Sequence, residues 1–122
     1  MRDPLAHLVI GCAIEVHRRL GPGLLESAYE GCVADEFKRR GVAFRRQVAL
    51  PVDYRDRRID VGYRVDLLIE ERLIVEVKAV EHILPVHRAQ ILTYMKLLKV
   101  KQGLLINFNV PVLVQGLKSF LL

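Results

Sequence analysis

Three charged residues stand inside two apolar runs of the chain. The segments GYRVDLLI and LIVEVKA place Asp66, Glu76 and Lys78 among leucine, isoleucine and valine residues. Alternate side chains of a strand share a face, so Glu76 and Lys78 point the same way. Two carboxylates and an ammonium group on one patch have the spacing needed to share a divalent cation. Whether the three meet depends on the register of the two strands.

The two apolar runs predict a β-hairpin joined by EER, residues 70–72. Ile69 then pairs with Leu73, and counting back places Asp66 opposite Glu76. Directly opposed residues have Cβ atoms about 4.5 to 5.5 Å apart. The connection lacks the glycine of a typical three-residue loop, so the register rests on the apolar pattern. A slip of one residue would move Asp66 to the other face of the sheet.

Two interpretations of this patch stay open at this point. The three residues could form a surface salt-bridge cluster, which contributes roughly 0 to 1 kcal/mol. Against that, two carboxylates aligned across an apolar hairpin repel each other unless a cation sits between them. A metal site is therefore the competing hypothesis.

Helical periodicity appears in three segments around the hairpin. The first ends at GPG, where a glycine and a proline stop the helix. The second ends at Gly41. Pro85 suits the first turn of the third helix, and Gly103 marks the exit from it. The predicted helices cover residues 5–20, 24–40 and 85–99.

The remaining segments have β character. Pro51 in FRRQVALPVDY indicates an edge strand or a bulge, and a turn follows at Asp56. GLLINF and part of VPVLVQGLKSFLL predict two strands near the end. The strands before the third helix are predicted over residues 44–54, 62–69 and 73–79.

The order of elements is therefore α-α-β-β-β-α-β-β, which predicts an α/β fold. Because the third helix connects the hairpin to GLLINF, these two strands should lie parallel through a right-handed crossover. A chain of 122 residues is most simply one domain, covering residues 1–122.

Composition bounds the partners. The chain is 52% hydrophobic with a mean hydropathy of +0.22, which predicts apolar surface shared with a second copy, hence a homodimer. Its net charge is +5 with a pI near 9.5, and basic residues cluster in FKRRGVAFRRQ and YRDRR. Such a balance favours a polyanionic partner.

Several classes of protein find no support. Cys12 and Cys32 lie in predicted helices without CxxC spacing, so we expect reduced core thiols. The four histidines have no zinc-ligand spacing, and neither a zinc nor a thiol enzyme is indicated. No signal peptide or membrane-spanning apolar run is present, so a cytoplasmic protein is expected.

Motifs along the chain resemble those of a known superfamily. Asp66, nine intervening residues and EVK resemble the PD-(D/E)XK nuclease motif, with Val65 in place of proline. GLLESAY is similar to the motif that names the GxxExxY proteins, a RecB-like branch of that superfamily. EVHRRLGPGLLE, EVKA, HRAQILTY and GLLINF match in order, while the tail after Phe108 departs and Asn109 replaces an expected glycine. The resemblance implies a restriction-endonuclease-like core, a mixed sheet flanked by helices.

The resemblance also implies further site residues. Glu26 matches a helical glutamate that completes the acidic site, although an acid near a helix N-terminus also stabilises the helix by about 0.3 to 1 kcal/mol. Gln90 and Tyr94 share a helix face and match the QxxxY element, with His87 one turn earlier. The alternative is a glutamine with an exposed amide and a tyrosine whose ring packs in the core. His17 and His87 are candidates for phosphate contacts only.

The implied activity is metal-dependent hydrolysis of nucleic-acid phosphodiester bonds. Carboxylates select hard cations, so Mg²⁺ or Mn²⁺ is expected on Asp66, Glu76 and Glu26. Lys78 would orient the attacking water.

The substrate is expected to be nucleic acid, with DNA favoured over RNA and cleavage directed by structure or ends. Arg45 and Arg46 would grip phosphates without reading sequence. The alternative is a non-catalytic nucleic-acid-binding or protein-interaction module that keeps the scaffold. That alternative predicts no metal dependence.

Overall fold

A five-stranded mixed sheet flanked by helices forms the centre of the fold, in a computed structural model that describes residues 3–122. The strands lie in the spatial order β1-β2-β3-β4-β5. This architecture confirms the predicted α/β class with a mixed sheet. The helices are α1 (Pro4–Leu20), α2 (Glu26–Arg39) and α3 (Pro85–Leu98), and a 3₁₀ turn covers Leu113–Gly116. The strands are β1 (Phe44–Tyr54), β2 (Arg57–Ile69), β3 (Leu73–Lys78), β4 (Gln102–Asn107) and β5 (Leu117–Leu121).

The register predicted for the hairpin is confirmed. Ile69 pairs with Leu73 and Leu67 pairs with Val75, in an antiparallel arrangement. The strands β3 and β4 are parallel, as the intervening helix required. A register shift between Leu50 and Val52 confirms the bulge expected at Pro51.

Two boundaries differ from the predictions by more than one residue. The strand β2 begins at Arg57 and not at residue 62, because Arg55 and Asp56 adopt left-handed φ values of 46° and 66° and turn the chain early. The helix α2 begins at Glu26, two residues later than predicted. There the Tyr29 hydroxyl donates to the Gly21 carbonyl at 2.5 Å and accepts from the Leu24 N–H at 3.1 Å. These bonds hold the preceding residues as a loop.

Each face of the sheet carries its own hydrophobic cluster. The helices α1 and α2 cover one face, where they pack against residues such as Val75 and Leu104. The helix α3 covers the other face, together with Ile74 and Leu105. A Cβ atom at Gly103 would lie only 2.7 Å from the Met95 sulfur, so α3 needs this glycine to pack closely on β4. No helix within residues 3–122 is both long and apolar enough to cross a membrane.

The alternation of faces along β2 breaks at Asp66. Val65 and Leu68 are three residues apart, and in a regular strand they would face opposite ways. Both nevertheless belong to the cluster beneath α3, while Leu67 belongs to the cluster beneath α1 and α2. Asp66 therefore stands where the strand changes face.

The neighbouring strand β1 changes face at the matching position. Phe44 packs against the cluster beneath α1 and α2, whereas Val48 belongs to the cluster beneath α3. Between them, Gln47 has a left-handed φ of 51°. The change of face in both strands brings polar side chains to one point beside the hairpin.

Candidate functional site

Where the β2–β3 ladder ends, the carboxylates of Asp66 and Glu76 replace backbone carbonyls as acceptors of the cross-strand hydrogen bonds. Beyond the Leu67–Val75 pair, the Asp66 N–H donates to Glu76 Oε2 at 2.8 Å. In return, the Val77 N–H donates to Asp66 Oδ2 at 2.8 Å. Hydrogen bonds to carboxylates are stronger than neutral ones, so the two acids are held side by side. The register predicted Asp66 directly opposite Glu76 in the ladder; the ladder ends one pair earlier, and side-chain hydrogen bonds bring the two acids together instead.

The electrostatics of this pair are unfavourable without a further partner. Glu76 is buried, with 5% of its surface exposed. Burial and the nearby Asp66 charge raise the pKa of Glu76 to about 8, against the opposing effects of the Asp66 N–H and Lys78. A buried carboxylate next to a second one favours either a proton or a cation at this point.

Lys78 lies two residues beyond Glu76, at the end of β3 and half-buried. Its carbonyl accepts the Phe108 N–H at 2.9 Å. The buried Asn107 side chain accepts the Val80 N–H at 3.0 Å and donates to the Val80 carbonyl at 2.9 Å. The backbone that carries Lys78 is therefore fastened to the end of β4.

The structure does not bring Glu26 into contact with this pair. It is the exposed first residue of α2, and its side chain forms no hydrogen bond or ion pair with the described residues. Its place in the first helical turn fits the alternative role of a helix-stabilising acid.

A third acid, Glu30, lies on α2 one helical turn after Glu26, and the sequence did not predict it as a site residue. It is 6% exposed and accepts hydrogen bonds from Arg46 Nε at 3.0 Å and Gln47 Nε2 at 2.8 Å. The same Gln47 amide donates to Asp66 Oδ1 at 3.3 Å. Helical spacing alone could have nominated this residue, because it shares a helix face with Glu26.

Opposing effects act on the pKa of Glu30, and the net result is a pKa above the ordinary value for glutamate. Burial raises it most, and the Asp66 charge raises it further, whereas the hydrogen bonds from Arg46 and Gln47 lower it. The charge of Asp66 thus acts on Glu30, although Glu30 belongs to α2 and Asp66 to the hairpin.

Tyr94 faces the acid pair from α3. It is 8% exposed, and its ring centroid lies 6.2 Å from that of Tyr63 on β2. Burial raises the pKa of Tyr94, and the charge of Glu76 raises it next. Gln90 is exposed one turn earlier on the same helix. Tyr94 of the predicted QxxxY element therefore lies within electrostatic range of the acids.

The two candidate histidines have local structural partners. His87 Nδ1 accepts the Leu84 N–H at 3.0 Å and so caps the start of α3. His17 is buried, and its Nε2 donates to the Val110 carbonyl at 2.8 Å. Neither contact requires a phosphate.

The two candidate arginines differ in their environment. Arg45 forms a bidentate pair with the exposed Glu71, at 2.9 and 2.8 Å. Arg46 is bound to Glu30, with Nη2 at 2.9 Å from Oε2, and therefore lies next to the acids. A phosphate would have to compete with a carboxylate for either side chain.

The oxygen ligands that Asp66 and Glu76 offer are of the type that hard divalent cations prefer. Within residues 3–122, no group of three or more His, Cys, Asp or Glu side chains is close enough to hold a metal ion. Mg²⁺ is usually bound through only one or two protein carboxylates, with water completing the shell. Glu76 Oε1 accepts no hydrogen bond from the described residues, and all the candidate donors are carboxylate oxygens. Asp66 and Glu76 are thus the residues that could hold such an ion.

Comparison with known proteins gives one match. A family model described as the PD-(D/E)XK nuclease superfamily matches residues 3–120. No curated protein and no solved structure matches the chain. The matched range includes the three helices, the acid pair and Lys78.

Proposed function

The chain belongs to the PD-(D/E)XK nuclease superfamily, and on this basis we propose that it is a metal-dependent nuclease hydrolysing nucleic-acid phosphodiester bonds. The observation that carries the proposal is the pair of Asp66 and Glu76, each of which accepts a backbone N–H from the other strand. Lys78 follows two residues after Glu76 on the same strand. Within the superfamily, we assign the chain to the GxxExxY proteins of the RecB-like branch.

Asp66 and Glu76 would hold Mg²⁺ or Mn²⁺, the hard cations that carboxylates select. Bound there, the ion would polarise the scissile phosphate and lower the pKa of the attacking water. Glu30 is a better third acid than Glu26, because Gln47 connects it directly to Asp66. The buried carboxylate of Glu30 would add negative charge next to Asp66.

Lys78 and Tyr94 would act on the substrate itself. The Lys78 ammonium is a compact point charge that can orient the attacking water and offset negative charge on the phosphate. The Tyr94 hydroxyl, beside Glu76, would position the substrate, and the exposed Gln90 would contact it one turn away.

The exposed arm formed by residues 53–64 would grip the nucleic acid. Every residue of this arm is exposed, and it carries Arg55, Arg57, Arg58 and Arg64. Beyond its pairs with β3, β2 pairs only with β1, so the arm is a two-stranded ribbon. Arginines that contact phosphates do not read sequence, which favours structure- or end-directed cleavage.

We further propose DNA as the substrate and a homodimer as the assembly. The net charge of +5 favours a polyanion, and a dimer would present two sites to the two strands. Exposed apolar side chains outside the arm, such as Leu25 and Val114, provide surface that a second copy could cover.

The test is cleavage of single-stranded, double-stranded and branched DNA and of RNA, with Mg²⁺, Mn²⁺ or EDTA. Wild-type protein should cleave at least one substrate with metal and none with EDTA. Asp66→Asn and Lys78→Ala should each reduce cleavage by about 100-fold or more, which is the range for one transition-state contact. Lys101→Ala is the matched control, because Lys101 is exposed before β4, whereas Lys78 ends the parallel β3.

Cleavage that persists in both site variants would contradict the assignment of the residues. Binding of nucleic acid without cleavage under any metal condition would instead indicate the non-catalytic module.

A further inference from the structure

Gln47 has a backbone conformation that is unusual for the interior of a strand. Its φ is 51°, whereas extended residues have strongly negative values. A left-handed conformation is uncommon for any residue other than glycine, and it persists only when the surroundings impose it. In the described part of the chain, the other non-glycine residues with positive φ lie in turns or at a helix end: Arg55, Asp56, Glu70, Glu71 and Lys99.

The strain coincides with a gap in the β1–β2 ladder. Arg46 pairs with Leu67 and Val48 pairs with Val65, but Gln47 and the residue facing it form no pair. The missing partner is Asp66, whose side chain belongs to the proposed site. The backbone of β1 is therefore unpaired where it passes Asp66, an acid of the proposed site.

The freed side chain connects two acids that come from different elements. Gln47 Nε2 lies 2.8 Å from Glu30 Oε1 on α2 and 3.3 Å from Asp66 Oδ1 on β2. An ionised carboxylate only accepts hydrogen bonds, so the amide must turn its NH₂ group toward both acids. One amide nitrogen has two hydrogens, which is the number this bridge requires.

Arg46 completes the arrangement from the preceding position. Its guanidinium holds Oε2 of Glu30, while Gln47 holds Oε1. Both carboxylate oxygens of Glu30 are thereby oriented by two consecutive residues of β1. Consecutive side chains of a regular strand would point to opposite faces, so the left-handed conformation at Gln47 is what allows both to reach one carboxylate.

We propose that Gln47 is a positioning residue that ties Glu30 to Asp66 and so fixes the orientation in which Asp66, together with Glu76, can hold a divalent cation. This inference rests on the proposed metal-dependent function. Without the bridge, two like charges on separate elements would repel and their carboxylates would rotate apart. Groups that orient ligands in this way typically change metal affinity by 10- to 100-fold when they are removed.

Two variants separate the amide from the backbone conformation. Gln47→Met keeps the length and the strained backbone but removes the donors. Gln47→Gly fits the positive φ and removes the whole side chain. Glu70→Gly is the matched control, because Glu70 has the same φ of 51° in the exposed hairpin turn and its side chain makes no hydrogen bond with the described residues.

The measurement is Mn²⁺ affinity in the absence of substrate, from the electron paramagnetic resonance signal of free Mn²⁺. Gln47→Met and Gln47→Gly should each bind Mn²⁺ about tenfold or more weakly, and Glu70→Gly should stay within about twofold of wild type. Cleavage by Gln47→Met should recover as Mn²⁺ is raised, since the amide acts through the ligands. A purely structural role would leave the metal dependence unchanged.

Equal Mn²⁺ affinity of Gln47→Met and wild type, or an equal loss in Glu70→Gly, would overturn this inference while leaving the nuclease proposal intact. Absence of Mn²⁺ binding by folded wild-type protein would overturn both. Thermal unfolding with EDTA verifies that each variant is folded, and Gln47→Gly still decides the question if Gln47→Met does not fold.

Discussion

Asp66 and Glu76 have a structural role in addition to the chemical one that we propose for them. Each carboxylate binds a backbone N–H of the other strand at the point where regular pairing stops. An unpaired N–H next to a buried sheet would be destabilising by about 1 to 3 kcal/mol, so the acids stabilise the end of the ladder. Each acid uses one oxygen for the backbone and can use the other for a cation.

The predicted acid on α2 can be tested by comparing two glutamates that are one turn apart. Glu30→Gln should weaken Mn²⁺ binding by about tenfold, because it removes a buried negative charge next to the pair. Glu26→Gln should leave the affinity within about twofold, since Glu26 is exposed and makes no contact with the pair. Isothermal titration calorimetry gives both values. Loss of affinity in Glu26→Gln alone would restore the assignment made from the motif.

At the scale of elements, the end of β4 keeps β3 in place. Asn107 is hydrogen-bonded to Val80, just beyond Lys78. Gly116, at the end of the 3₁₀ turn, lies directly against Asn107, and a Cβ at this glycine would overlap the Asn107 carbonyl oxygen. Backbone cannot yield as a flexible side chain does, so the close approach requires glycine.

We predict that Gly116→Ala destabilises the protein by about 1 to 3 kcal/mol through overpacking against Asn107. Gly31→Ala is the control on α2, because its Cβ would meet only Arg46 Nη2 at 3.9 Å, an ordinary contact distance. Alanine favours a helix over glycine by up to about 1 kcal/mol, so this variant should be slightly more stable than wild type. Chemical denaturation measures both. A Gly116→Ala protein as stable as wild type would contradict the role given to this contact.

At the scale of the whole molecule, the sign of the buried charge is opposite to the sign of the net charge. The chain carries a net charge of +5, yet its most buried ionisable cluster is acidic. The groups that face Glu76 are Asp66 from β2, Lys78 from β3, Glu30 from α2 and Tyr94 from α3. With Arg46 bound to Glu30, two cationic groups stand among three carboxylates, so the site keeps an excess of one negative charge when all are ionised. This excess suits a cation and disfavours a lone phosphate.

This imbalance predicts how the stability of metal-free protein depends on pH. The pKa of Glu76 is about 8 in the folded protein and 4.5 for an ordinary glutamate. Between these two pKa values the folded state therefore binds more protons than the unfolded state. The contribution of protonated Glu76 to the free energy of unfolding is complete below pH 4.5 and is lost as pH rises through about 8. With EDTA, the free energy of unfolding should fall by roughly 1 to 3 kcal/mol from about pH 5 to pH 8.

The control for this prediction is Glu26→Gln, which should keep the slope, whereas Glu76→Gln should flatten it. Added Mn²⁺ should stabilise wild type more at pH 8 than at pH 5, because protons compete with the cation for the same carboxylates. Urea denaturation at each pH provides the free energies. A slope that is unchanged in Glu76→Gln would show that another group is responsible.

The order of elements, the hairpin register and the parallel β3–β4 pair could all be predicted from the sequence, because they depend on local periodicity. A strand with an apolar face cannot slip by one residue without exposing it, so Asp66 and Glu76 had to be neighbours. The early start of β2 was not predictable in this way, since the exposed arm has no buried face and hence no alternation to detect.

The tertiary structure alone decided which glutamate of α2 reaches the sheet and how Gln47 joins it to Asp66. Glu26 and Glu30 share one helix face, and only the docking of α2 on the sheet selects between them. The left-handed conformation of Gln47 has no local cause in its sequence. It accompanies the contacts of Arg46 and Gln47 with Glu30, 16 and 17 residues away, and such long-range contacts form only when helix and sheet have packed.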